Sequence, residues 1–201
     1  MTSITIPLNI AKALASMVSF TDKDADKLAY VYVDVTPSTV SALASDRYAI
    51  IESIYTERNG DGYLAFGIDA QGAKFITSLK SKNQHEPVEF TSDPASRSLR
   101  ISGLGSSIIQ RYDGKDFGLI WERFTELLAI ENKADKAMPI TLNMTLLGRC
   151  AKLLAYDGKK AERWEFHLGS EERSGKPSPI HAYSAGVITY HLLQQPLLPR
   201  N

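Results

Sequence analysis

The sequence predicts an α+β fold of repeated strand–helix–strand–strand–strand units, with the helices on one face of antiparallel sheets. Two observations predict it. Three stretches of the 201-residue chain run through the same order of periodicities and turns. In addition, Ile6-Pro7-Leu8-Asn9-Ile10 is similar to Ile140-Thr141-Leu142-Asn143-Met144, an internal repeat at the heads of the first and third stretches. Comparable loops follow the two helices, Thr21-Asp22-Lys23 and Tyr156-Asp157-Gly158-Lys159.

In the first stretch, residues 3–7 form a short extended run. Asn9 is the expected N-cap of a helix whose apolar face is Ile10, Leu14, Met17 and Val18. A polar loop at 22–26 leads to Tyr30-Val31-Tyr32-Val33-Asp34-Val35, rich in β-branched and aromatic residues and so a strand. Thr36-Pro37-Ser38 is a turn, residues 40–45 and 48–56 are strands, and Asn59-Gly60-Asp61-Gly62 is a strong turn.

The second stretch begins with a strand at 63–68. A short helix at 72–82 places Phe75, Ile76 and Leu79 on one side. Strands at 87–91, 99–102 and 107–112 follow, turning through Ser92-Asp93-Pro94 and Gly103-Leu104-Gly105. The connector that follows opens with the amphipathic run FGLIWERFTELLAI, expected to pack on the sheet, and ends with the polar run ENKADKAM. The third stretch opens with a strand at 139–142. A helix capped by Asn143 carries Leu146, Leu147, Cys150, Leu153 and Leu154 inward, and strands at 162–168, 179–184 and 187–194 close the chain around a glycine-, serine- and proline-rich loop at 169–179.

Composition narrows the function. Apolar residues make up 43% of the chain, enough for a core. No apolar run is long enough to span a bilayer, and the N-terminal MTSITIPLNIAKAL lacks the features of a signal peptide. Cys150 is the only cysteine, so no internal disulfide or cysteine-based zinc site is expected, and a reducing cytoplasm fits. The balance of 23 basic and 23 acidic residues argues against a protein that grips nucleic acid by bulk charge. No phosphate-binding loop or metalloprotease motif occurs. His85, His167, His181 and His191 are scattered, and Asp46, Asp61 and Asp113 sit at turns. No catalytic residue, metal or cofactor is expected.

The charge on the helices is more informative. Lys12 lies opposite the first apolar face beside Ser16 and Ser19. Lys74, Ser78 and Ser81 share a face of the second helix, with Lys80 and Lys82 near its end. Arg149 and Lys152 are neighbours on the third, followed by Lys159 and Lys160. None of these helices carries an Asp or Glu between its cap and its last turn.

At this point the residues resemble a family. Ser41-Ala42-Leu43-Ala44-Ser45-Asp46-Arg47-Tyr48-Ala49 is similar to a hairpin of bacterial DNA polymerase sliding clamps, and Ala73-Lys74-Phe75-Ile76-Thr77-Ser78-Leu79-Lys80 to their second helix. Ser98-Leu99-Arg100-Ile101-Ser102-Gly103 with Ser107-Ile108-Ile109-Gln110-Arg111-Tyr112-Asp113 resembles a clamp hairpin. Lys115-Asp116-Phe117 resembles the step after it, and Val187-Ile188-Thr189-Tyr190-His191-Leu192-Leu193 the last clamp strand. The resemblance covers most of residues 1–124 and, more weakly, 139–198.

That resemblance implies the DNA clamp fold: residues 1–115 a complete clamp-like domain, 116–138 a connector, and 139–201 a shorter second clamp-like domain. It implies a homo-oligomeric processivity factor, encoded by a phage or mobile element, encircling duplex DNA without sequence specificity or chemistry. Lys12, Lys23, Lys74, Lys80, Lys82, Arg149, Lys152 and Lys159 are then the expected DNA-binding residues. DNA polymerase and other peptide-motif partners are expected in a groove near Leu192, Leu193, Pro196, Leu197 and Leu198, and the tail Gln194-Gln195-Pro196-Leu197-Leu198 is itself similar to such a docking peptide. The departure is length. A clamp domain has two units and a clamp ring six domains, whereas three units make one and a half domains. The alternative is a clamp relative that forms no ring and serves as a protein-binding module for polymerase or clamp-loader partners. An enzyme on an unrelated α+β scaffold is the third reading.

Overall fold

The computed structural model describes residues 1–129, 144–154, 164–167, 180–184 and 186–194. The expected strand at 139–142, the Asn143 cap, the polar end of the connector and the loop at 169–179 lie outside the described residues.

The first strand, β1 (Thr2–Pro7), alternates so that Ile4 and Ile6 point inward. It runs without a loop into α1 (Leu8–Ser16), whose N-cap is Pro7 rather than Asn9. The reason is that backbone already meets the need for a cap. Leu8 N–H donates to the Glu86 carbonyl at 2.8 Å and Asn9 N–H to that of Gln84 at 3.0 Å. Asn9 is instead buried inside the first turn. Helix α1 is buried on nearly every side, leaving Lys12 and Ser16 half-buried. The strands β2 (Val31–Val35), β3 (Val40–Ser45) and β4 (Ala49–Tyr55) follow, close to the expected spans.

Strand β5 (Leu64–Ile68) leads to α2 (Ala70–Ser78), capped by Asp69, which accepts from Gly72 N–H at 2.7 Å. The expected helix to residue 82 ends four residues early. Leu79 is extended and buried, and its side chain packs where Gly103 leaves room. Strands β6 (Pro87–Asp93), β7 (Ser98–Gly103) and β8 (Ser106–Arg111) complete the second stretch. Helix α3 (Phe117–Leu128) buries Ile120, Phe124 and Leu128 at four-residue spacing, and Phe117 sits against Tyr32. In the third stretch α4 (Met144–Cys150) is followed by β9 (Glu165–His167), β10 (Ile180–Ser184) and β11 (Ile188–Gln194). Among the described residues no helix is long and apolar enough to cross a membrane.

The sheets join the units in a way the sequence pattern did not specify. One sheet runs β1-β6-β7-β8 and the other β5-β2-β3-β4-β11-β10-β9. The first two units therefore exchange their opening strands: β1 lies beside β6, and β5 beside β2, both antiparallel. A strand–helix–strand connection within one sheet would have made neighbours parallel. The exchange keeps both pairs antiparallel, with Ile4 opposite Phe90 and Phe66 opposite Val33. Phe66 then stacks on Phe90 between the two sheets, with ring centroids 4.6 Å apart. The third unit joins by its last strand. Strand β11 pairs with β4 from Ile188↔Tyr55 to Gln194↔Ala49, and Leu192 and Tyr190 enter the common core.

Two glycines test the packing. A Cβ at Gly72 would lie 2.2 Å from Gln110 Oε1, and Gln110 is buried, donating to the Gly67 carbonyl at 2.6 Å. Gly72→Ala is expected to cost about 1–3 kcal/mol. Nothing lies within 4 Å of a Cβ at Gly148, on α4, so Gly148→Ala should be neutral or stabilise by about 0.5–1 kcal/mol. Urea unfolding midpoints of the two variants check both statements.

Candidate nucleic-acid interface

Helix α1 packs along α2 on one flank. On the other, the chain just after α4 reaches its C-terminal end: Leu154 N–H donates to Ser16 Oγ at 3.4 Å, and the Arg149 guanidinium lies 5.9 Å from the centre of the Phe20 ring. Tyr190 of β11 donates its hydroxyl hydrogen to the Leu154 carbonyl at 2.8 Å, fixing this junction to the sheet below. Burial drives the Tyr190 pKa well above the ordinary tyrosine range.

The outer surface of this layer is made of lysine and small hydroxyls. No acidic residue occurs within α1, α2 or α4. The hydroxyls turn back on their own helices: Ser16 donates to the Ala13 carbonyl, Thr77 to that of Ala73 and Ser78 to that of Phe75. Lysine therefore supplies the charged donors. Lys74, Lys80, Lys82, Lys23 and Lys152 are exposed and Lys12 is half-buried. Among the described residues none of these six forms an ion pair. Lys12 and Lys74 stand on helices, and Lys80 and Lys82 lie in the chain beyond α2. Lys23 is in the loop after α1. Lys159 lies outside the described residues.

Arg149 differs from the lysines. Its Nη1 donates to Asp46 Oδ2, and the two side chains are 28% and 11% exposed. The other Asp46 oxygen accepts from the backbone N–H groups of Tyr48 and Ala49, at 3.1 and 2.9 Å, and so shapes the β3–β4 turn. That turn carries Arg47 at φ 78°, which pairs with Asp22 at 2.7 Å. One carboxylate thus ties a hairpin to a helix 103 positions away. The sequence marked Asp46 as a turn residue and Arg149 as a helix-face cation, but local spacing carries no sign that they meet.

The candidate groove is placed only in part. Leu192 faces the core and Leu193 the opposite face of β11, and both are buried. Pro196, Leu197 and Leu198 lie outside the described residues. On the Leu193 face sequence reasoning missed a polar group. His181 Nδ1 and His191 Nε2 are 2.9 Å apart, His191 Nδ1 is 3.9 Å from Glu52 Oε2, and Tyr183 stacks on His191 at 4.4 Å. The alternation of β10 and β11 was legible, but the meeting of Glu52 with His191 depends on the β4–β11 register.

No family model matches the chain, and no curated protein does. Solved structures do. The chain is similar to the Helicobacter pylori beta clamp bound to DNA ligase peptide, with 13% identity, a TM-score of 0.61, and coverage of 100% of this chain and 66% of that one. It is similar to the DNA polymerase III beta chain of Streptococcus pneumoniae at 13% identity and a TM-score of 0.60, covering 100% and 66%. For the DNA polymerase sliding clamp of Pseudomonas aeruginosa the values are 11%, 0.65, and 98% and 66%. At such identities the likeness is one of fold. The chain has the sliding-clamp fold, α+β with antiparallel sheets, and spans 66% of the length of these neighbours.

The same layer makes a prediction about Cys150, at the end of α4. It is buried, and burial pushes its thiol up to about 11. A raised pKa leaves the thiolate scarce at neutral pH. Labelling by iodoacetamide at pH 8 is expected to be slow in the folded protein. It should accelerate at least about tenfold in denaturant, where the ordinary pKa of ~8.5 returns. Equal rates in the two states would show that α4 does not hold its place.

Proposed function

We propose that this chain is a clamp-type tether for duplex DNA: it holds DNA through phosphate contacts without reading sequence, performs no chemistry, and works as a homo-oligomer in DNA replication. The observation that carries this reading is that α1, α2 and α4 are free of acids and that the lysines on them and in the segments that follow, Lys12, Lys23, Lys74, Lys80, Lys82 and Lys152, have no ion-pair partners among the described residues. The sliding-clamp fold supports it. Contacts made by flexible lysines, some through water, are weak enough to let DNA slide. A net charge of zero then fits, since tight gripping would oppose sliding.

Within this reading Lys12, Lys74, Lys80 and Lys152 face the DNA, with Lys23, Lys82 and Lys159 at the margin. Arg149 already has its charge matched by Asp46, so its main part is to hold α4 in the layer. A second role follows from a neighbour that is bound to a DNA ligase peptide. Partner peptides of polymerase type would dock near the end of β11, on the face that Leu193 takes, with Leu192 supporting the strand from the core side; Pro196, Leu197 and Leu198, the other expected groove residues, lie outside the described residues. The alternative is a binding module for polymerase or clamp-loader partners that forms no ring.

The salt dependence of binding tests the first reading. Replacing Lys12, Lys74 and Lys152 together with Glu should lower the slope of log affinity against log salt by about 0.9 per lost phosphate contact. Fluorescence anisotropy on duplexes of unrelated sequence reads it, and far-ultraviolet circular dichroism should show the fold intact. An unchanged slope would put the DNA on another face. A strong preference for one duplex sequence would remove the tether reading altogether.

A further inference from the structure

Strand pairing gathers histidines on the outer face of the seven-stranded sheet. Register sets Glu52 of β4 opposite His191 of β11, His191 opposite Tyr183 of β10, and His181 of β10 opposite His167 of β9. Opposed residues take the same face of a sheet, as do residues two apart on one strand, so all five positions lie on one side. Three of the chain's four histidines thus stand on three adjacent strands.

Two of them converge. His181 Nδ1 and His191 Nε2 are 2.9 Å apart, a separation that suits a hydrogen bond and equally suits two ligands of one metal ion. With metal–nitrogen bonds of about 2.0–2.1 Å, nitrogens at that separation subtend about 90° at the metal. This is the angle between neighbouring ligands of a square-planar or octahedral ion. The tetrahedral angle favoured by zinc needs about 3.3 Å.

Glu52 prepares one of the two rings. Its Oε2 lies 3.9 Å from His191 Nδ1, the ring nitrogen that does not face His181. A carboxylate there favours the tautomer with the proton on Nδ1 and leaves the Nε2 lone pair for a metal. His181 then donates from Nδ1 in the hydrogen bond. When a metal takes the place of that proton, the proton moves to Nε2 of the same ring, and both imidazoles remain neutral ligands.

The surroundings suit a bound ion. Ile50 and Leu193, opposed across β4 and β11 on the same face, are buried and form an apolar flank. Tyr183 stacks on both imidazoles and is 36% exposed, which puts the pair one ring away from solvent. Among the described residues no three candidate ligands already surround one point. Two nitrogens do meet, and His167 stands at the register position beside them.

We propose that His181 and His191 are the core of a binding site for a divalent late transition metal of the nickel and copper type. His167 serves as third ligand, water completes the coordination, and Glu52 orients His191. Imidazole selects such an ion over magnesium or calcium, which take oxygen ligands. Bound there, the ion would cross-link β10 to β11 and so brace the strand that joins the third unit to β4. The site owes nothing to DNA binding, and the two readings fail separately.

Calorimetric titration of nickel chloride into the full-length chain, carrying no affinity tag, tests the site. One equivalent should bind with micromolar or tighter affinity and raise the thermal midpoint, and magnesium should do neither. His181→Phe and His191→Phe keep an aromatic ring beside Tyr183, and each should weaken nickel binding at least about tenfold. Glu52→Gln leaves both nitrogens in place and should weaken it about 10–100-fold with an unchanged circular dichroism spectrum. His85→Ala, at the fourth histidine, should leave affinity unchanged. Absence of nickel binding at micromolar concentration overturns the proposal, and so does wild-type affinity in both Phe variants. If those variants fail to fold, one equivalent of copper(II) on the His85→Ala protein decides by electron paramagnetic resonance. Hyperfine splitting from at least two nitrogens is expected, and a spectrum of oxygen ligands alone overturns the proposal.

Discussion

The structure depends on the exchange of opening strands between the first two units. Strand β1 belongs to the first unit by sequence and to the second by pairing, and β5 does the reverse. Neither the sheet β1-β6-β7-β8 nor the run β5-β2-β3-β4 of the seven-stranded sheet can form from one unit alone. The helices inherit this constraint. Helix α1 starts at the residue after β1 and α2 two residues after β5, so each begins at the other unit's sheet, which receives its own unit's opening strand. Their mutual packing follows. Gln110 shows how tight the join is: it bridges the Gly67 carbonyl and the Asp69 N–H, from β8 to the strand end and cap of α2, in a space that only a glycine at 72 leaves open.

Much of this was legible in the sequence, because periodicity is local. The alternation of β3 and the turn at 36–39 are set by neighbouring residues, and the amphipathic face of α3 by its own spacing. Pairing was not legible. A period of two states which face a residue takes, not which strand lies beside it. The Asn9 cap failed for a related reason. Backbone carbonyls at 84 and 86, distant in sequence, satisfy the first N–H groups of α1, and no local pattern announces them. The end of α2 was set by burial of Leu79, a tertiary effect that overrides helix propensity.

The candidate interface divides along the same line. The lysines could be read from helix charge alone, since an acid-free helix is a property of one segment. What could not be read is which cations are already engaged. Arg149 and Lys152 look equivalent in sequence, three residues apart on one turn. Tertiary structure brings Asp46 to Arg149 and leaves Lys152 without an ion pair among the described residues. A partly buried pair of this kind holds its geometry better than an exposed one, because fewer waters compete for either partner. The hydroxyls make a similar distinction. Bonded to their own helices, they add polarity without adding free hydroxyl donors.

The register of β4 against β11 then governs the interface from below. Helix α4 has no sheet of its own in contact with α1. It is placed through Leu154, which Tyr190 of β11 holds by its hydroxyl and which itself reaches Ser16. A slip of β11 by one residue would turn Tyr190 and Leu192 outward and remove that hold. On the other face the same slip would take His191 away from Glu52 and bring Tyr190 or Leu192 opposite the carboxylate. Apolar burial on one side and polar contacts on the other thus select a single register. That register holds the chain after α4 at the C-terminal end of α1, so strand pairing in the sheet sets where this junction of the helix layer lies.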